Sequence, residues 1–155
     1  GHTGLVESVA ISPDGTWLAT TSDDGTARIW DLAGNCTATL TGHSGFVESV
    51  AISPDGTWLA TTSDDGTARI WDLAGNCTAT LTGHTESVES VAISPDGTWL
   101  ATTSRDGMVC AWSVEERRTV AVMRVSPRLF SCAWGTGRVL AVGGDRGVYL
   151  FDFQP

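Results

Sequence analysis

The chain has 155 residues, 41% of them apolar, which is enough for a packed core within single-domain size. Eighteen acidic residues against nine arginines leave a net charge of −9, which disfavours a polyanionic partner such as nucleic acid. No apolar run of about 18 residues offers a membrane span, and no basic-then-apolar opening marks a secretory signal.

In chain order, a 41-residue unit starts at Gly1-His2, repeats at Gly42-His43 and again at Gly83-His84. The first two copies differ only at Thr3/Ser44 and Leu5/Phe46. Inside each copy the apolar period is two, which predicts strands and not helices. In the first copy Val6 to Ile11 is the first strand, and Ser12-Pro13-Asp14-Gly15 is a turn. Proline presets its φ, aspartate suits the third place, and glycine accepts the left-handed fourth. Trp17 to Ser22 is the second strand, Asp23-Asp24-Gly25 a hairpin turn, and Thr26 to Asp31 the third strand. After Ala33-Gly34-Asn35, Cys36 to Leu40 makes a shorter fourth. A period of about 40–45 residues opening on Gly-His and closing on Trp-Asp marks one propeller blade per copy.

The third copy keeps the text to Ser104 and then departs. Its third strand is Met108 to Ser113, its turn the charged Glu115-Glu116-Arg117-Arg118, and its fourth strand Thr119 to Met123. The fourth unit, Arg124 to Pro155, is degenerate: Leu129 to Trp134, Val139 to Val142 and Val148 to Asp152 supply three strands. It has no Gly-His, Phe151 stands where tryptophan is expected, and no fourth strand follows. The reading is therefore all-β, a single domain over 1–155 with blades 1–41, 42–82, 83–123 and 124–155.

The four cysteines, Cys36, Cys77, Cys110 and Cys132, contain no C-x-x-C spacing, so zinc and redox motifs have no support. Free thiols in a reducing cytoplasm are expected. Asn35-Cys36-Thr37 and Asn76-Cys77-Thr78 match a glycosylation sequon; both are read as chance matches duplicated by the repeat. No cofactor or metal is expected.

Gly-His, Ser-Pro-Asp-Gly, Asp-Gly and Trp-Asp at these offsets resemble the WD-repeat β-propeller family, in three strong units and one weak one. The resemblance implies a hydrogen-bonded side-chain network in each blade. On the matching positions, Trp30 would bond Ser22, Ser22 would bond His2, and His2 would bond Asp24. The second unit offers Trp71, Ser63, His43 and Asp65, and the third Trp112, Ser104, His84 and Asp106. The fourth unit has Gly144 and Arg146 at the Ser and Asp positions, so it should lack the network and be the least stable blade.

A nucleophilic Ser-His-Asp reading competes with this one. The threefold recurrence, the commitment of the serine to tryptophan and the lack of a G-x-S-x-G elbow weigh against it. Asp23-Asp24 and Asp64-Asp65 are weak acid/base pairs, because the network already uses one carboxylate of each. Gly135-Thr136-Gly137 and Gly143 to Gly147 fall at hairpin turns with no helix following, which is poor support for a phosphate loop.

Between residues 1–25 and 83–107 the changes are Gly4 to Glu86, Leu5 to Ser87 and Asp23 to Arg105. The resemblance places all three on the face that family members commonly use to hold partners. Glu7, Glu48 and Glu89 are expected to ring that face with Asp23 and Asp64, while Leu5 and Phe46 add apolar contact. Drift in exposed loops is the plain alternative.

Propellers typically use about 4–8 blades, and an eight-blade ring needs about 45° per blade against about 90° for four. Four units of this type are therefore expected to form half of an eight-bladed ring, completed by a homodimer, or to belong to a longer propeller-bearing chain. The function expected is a non-enzymatic scaffold that presents an acidic, partly apolar face to a basic peptide or protein. The alternatives are an engineered or recently amplified repeat protein whose role is self-assembly, and a propeller enzyme or small-ligand lectin.

Overall fold

A computed structural model describes residues 1–154 and gives four antiparallel sheets. The first contains β1 (Val6–Ile11), β2 (Trp17–Ser22), β3 (Thr26–Asp31) and β4 (Cys36–Thr41), hydrogen-bonded in sequence order. The second contains β5 (Val47–Ile52), β6 (Trp58–Ser63), β7 (Thr67–Asp72) and β8 (Cys77–Thr82). The third contains β9 (Val88–Ile93), β10 (Trp99–Ser104), β11 (Met108–Ser113) and β12 (Arg118–Arg124). The fourth has only β13 (Leu129–Trp134), β14 (Val139–Gly144) and β15 (Gly147–Asp152), with one 3-10 turn at Thr136–Arg138. The expected all-β meander is observed; β4 runs to Thr41 and is as long as its neighbours, not shorter, and strand ends are extended by a residue or two in the third and fourth sheets.

The turns form for the reasons their residues supply. In Ser12-Pro13-Asp14-Gly15 the Gly15 N–H donates to the Ser12 carbonyl at 2.8 Å, and Gly15 sits at φ +71°. Asp14 Oδ1 accepts from the Ser12 hydroxyl at 2.7 Å and from the Thr16 N–H at 3.0 Å, closing an Asx-type turn. Those bonds hold the Asp14 carboxyl below its usual range, the Ser12 hydroxyl contributing most.

The sheets stack like blades, with β1 against β5, β5 against β9 and β9 against β13. Each junction has its own apolar core. Ala19, Ala27, Ile29 and Leu40 of the first blade share a cluster with Val47, Val50, Leu59 and Trp71 of the second. Ala60, Ala68, Ile70 and Leu81 meet Val91, Leu100, Cys110 and Trp112 in the same way. At the last junction Ala101 and Val109 meet Leu129, Leu140 and Val142. Alanines on the trailing face of one blade, flanked by larger aliphatics such as Ile29 and Leu40, pack against the valine, leucine and tryptophan side chains of the next.

A register shift recurs at the start of each innermost strand. Val6 pairs with Ser22 while Ser8 pairs with Thr21, so Glu7 is the extra residue of a β-bulge. Glu48, Glu89 and Phe130 take the same place in the other blades. A bulge re-aims the extra side chain away from its strand's regular alternation.

Candidate functional site: the blade networks and the acidic rim

In the first blade Trp30 Nε1–H donates to Thr20 Oγ1 at 2.8 Å, and Thr20 Oγ1 lies 2.7 Å from His2 Nε2. His2 Nδ1 lies 2.9 Å from Asp24 Oδ2. The second blade repeats this through Trp71, Thr61, His43 and Asp65, and the third through Trp112, Thr102, His84 and Asp106. The indole N–H donates to the hydroxyl oxygen, and with Nδ1 donating to the carboxylate the threonine O–H donates to Nε2. For His43, whose pKa burial lowers, this is the neutral Nδ1–H tautomer.

The hydroxyl in this chain is threonine, which corrects the expected roles of Ser22, Ser63 and Ser104. Register explains the difference. Trp30 pairs with Leu18, so Thr20 is its diagonal neighbour two residues along, within reach of a long side chain. Ser22 is four residues along, roughly 13 Å at a strand's rise, and lies out of reach. Its hydroxyl instead accepts the Asp24 N–H at 3.1 Å, as Ser63 and Ser104 accept those of Asp65 and Asp106. Thr20, Thr61 and Thr102 were missed although the signal was present: they sit on the same strand face as the serines, two residues nearer the tryptophan.

The carboxylates are strongly held. Burial opposes ionisation of Asp65, but the Thr67 hydroxyl, His43 and the Ser44 N–H outweigh it and bring the pKa to about 2. Asp24 and Asp106 shift downward against burial in the same manner. Burial lowers the pKa of His43, which keeps its ring neutral despite Asp65.

Hydroxyl, imidazole and carboxylate stand here in the order of a catalytic triad. Thr61 and Thr102 are fully buried, however, and each hydroxyl already accepts an indole N–H. No substrate reaches an oxygen so placed, and the chain of bonds ties blade to loop.

Around the bulged strand starts the structure brings several carboxylates and one guanidinium together. Arg105 Nε lies 2.8 Å from Glu89 Oε1. The Ser87 hydroxyl lies 2.6 Å from Glu89 Oε1 and also reaches Asp64 across the blade boundary. Glu48 sits beside Asp64, Glu89 and Glu7; burial first, then those charges, push its pKa up to about 7. Leu5 and Phe46 are exposed beside them, as are Glu7 and Glu86. Asp23 follows its strand on the same rim, where Gly4 approaches its backbone closely. Sequence reasoning did not find the bulge that turns Glu7, Glu48 and Glu89 to this rim.

The fourth blade has Val142 at the threonine position and Phe151 at the tryptophan position. Its Trp134 instead donates to the Ala92 carbonyl of the third blade at 3.2 Å, and Phe153 packs edge-on against Trp99 and Trp134. Among the described residues, no group of three or more His, Cys, Asp or Glu side chains is placed to hold a metal ion. Among the same residues no helix is long and apolar enough to cross a membrane.

Wedge-shaped four-stranded sheets, joined in series and pinned from within by an indole–hydroxyl–imidazole–carboxylate chain, define an arc of β-propeller. The model for the WD domain, G-beta repeat, matches residues 1–31, 34–72 and 75–113, and the chain belongs to that WD-repeat family. Relatives include the ribosome biogenesis protein erb1 of Botryotinia fuckeliana, 66% identical over 32 residues. Its counterparts in Aspergillus clavatus and Candida albicans are 59% and 56% identical over 32 residues. The matched stretch is 21% of this chain and 4% of each relative's length.

Proposed function

We propose that this chain is a non-enzymatic interaction scaffold whose acidic, partly apolar rim docks a basic peptide or protein segment. One observation carries the reading. In the third blade the rim glutamate, Glu89, is already occupied by a guanidinium, that of Arg105. In the second blade the same two positions are Glu48 and Asp64, and in the first Glu7 and Asp23, so a carboxylate replaces the cation. Burial first, and then that crowding, raise the pKa of Glu48. An arginine supplied from outside would relieve it as Arg105 relieves Glu89, and the exposed Leu5 and Phe46 would add apolar contact. The matches to ribosome biogenesis proteins are about one repeat long, so they support the repeat and not those proteins' role.

Self-association as a homodimer and a cytoplasmic location belong to the same proposal. All four cysteines are unpaired, two of them exposed, which suits a reducing compartment. Titration with an arginine-rich peptide, followed by fluorescence anisotropy, tests the rim. Glu48→Lys is expected to weaken binding at least tenfold; unchanged affinity removes the rim from the account.

A further inference from the structure

The second and third blades leave a cleft of about 200 Å³ between them, at the blade ends away from the acidic rim. Val47, next to Glu48, pairs with Ser63 at the end of β6, whereas Trp58 opens β6 and pairs with Asp72. Cleft and rim therefore lie at opposite ends of the same strands. Trp58 and Ile70 of the second blade wall the cleft, and Val114 and Arg117 border it from the third. Size limits what enters. An apolar cavity of about 150 Å³ takes a benzene ring, whereas pockets for drug-sized ligands start at about 300 Å³. One aromatic side chain fits.

The next junction shows how a ring covers such an indole. Phe153 follows Asp152 as Val114 follows Ser113, and Asp152 pairs with Val139 as Ser113 pairs with Trp99. The buried Phe153 ring packs edge-on against Trp99, with centroids 5.5 Å apart. At the matching place beside Trp58, Val114 brings only an isopropyl group.

Arg117 adds a charge. Its left-handed turn, φ +54°, carries the guanidinium across the junction, where Nη1 donates to the Thr78 carbonyl at 2.7 Å. Among the described residues no carboxylate pairs with it. Glu116 pairs with Arg118, and Asp72 accepts the backbone and side-chain N–H groups of Asn76. The Nε and Nη2 edge is therefore free to take a carboxylate side by side. The second blade has Gly75 in the left-handed place of its outer turn, so the first junction has no such cation.

We propose that this cleft is a second docking site, for a partner's peptide segment in which an aromatic side chain is flanked by aspartate or glutamate. The ring lies on Trp58 between Ile70 and Val114, and the flanking carboxylate meets the Arg117 guanidinium.

The probe is a dye-labelled peptide, Gly-Ser-Glu-Phe-Asp-Ser-Gly, followed by anisotropy. The parent chain is expected to bind it with a Kd below about 1 mM. The same peptide with Gln and Asn for its acids should bind about fivefold more weakly. Arg117→Gly keeps the left-handed turn; it should bind the acidic peptide that weakly and lose the salt dependence. Val114→Phe copies Phe153, and by filling the cleft should weaken binding at least about tenfold. Glu48→Lys, at the rim, should not weaken it, and circular dichroism checks that each variant keeps its fold. No binding to the parent chain, or full affinity in Val114→Phe, overturns the site. Equal affinity for the acidic and neutral peptides, or salt dependence that survives Arg117→Gly, overturns the role of Arg117. Weakening by Glu48→Lys assigns the peptide to the rim and overturns the cleft while leaving the rim proposal standing.

Discussion

Thr61 has two dependants. The Trp71 indole N–H and the His43 Nε2 both rely on its hydroxyl, and no exposed surface lets water replace it. Thr61→Val should therefore cost about 2–6 kcal/mol, the sum of two polar groups left unpaired inside the blade. Ser63→Ala, which removes one acceptor from the Asp65 N–H, should cost about 0.5–1.5 kcal/mol. Urea unfolding of the two variants checks the order. Equal losses would mean that the hydroxyl chain is not what holds the blade.

For single elements, the fourth blade is the weak one. It replaces the hydroxyl and indole by Val142 and Phe151, so no polar chain pins it from within. Hydrogen exchange should show β13–β15 opening first, with amides protected at least tenfold less than those of β5–β7. Uniform protection across the blades would contradict this. Most of the elements were legible in the sequence, because Ser-Pro-Asp-Gly and Asp-Gly fix the turns that bound short runs rich in β-branched and aromatic residues. The network was legible except for its hydroxyl. Ser22 and Thr20 face the same way, and only the pairing of Trp30 with Leu18 decides between them. The bulge at Glu7 was not read, and its mark in the text is the three-residue step from Val6 to Val9 where alternation would give two. The third blade's outer hairpin is likewise one residue longer, and there Arg117 takes the left-handed conformation, φ +54°, that Gly34 takes in the first. From that turn it donates to the Thr78 carbonyl at 2.7 Å, a tie between blades that its charge alone did not announce.

For the molecule as a whole, two groups of opposite sign set the pH response. Asp65 titrates at about 2 in the fold, below its usual range, so its contribution is complete above about pH 4 and lost as pH falls through about 2. His43 is also lowered; its contribution is complete above about pH 6.5 and declines below that. Glu48 is raised from 4.5 to about 7, so its cost is absent below 4.5 and complete above about 7. Melting temperature should therefore fall steeply below about pH 4. Glu48→Gln should raise stability at about pH 8 by roughly 1 kcal/mol, solvent screening at a partly exposed site reducing the gain, and should not raise it at about pH 4. A gain of equal size at both values would remove Glu48 from the balance.

The near-identity of the first two units has a kinetic consequence. β4 and β8 carry the same six residues, so during refolding either can zip onto β3 or β7 with the same local energy. Only the long loop that a swap leaves behind, and the divergent third unit downstream, tell the two closures apart. A chain so written should meet a deep off-pathway trap in which its neighbours have exchanged outer strands, the misassembly to which tandem repeats are prone.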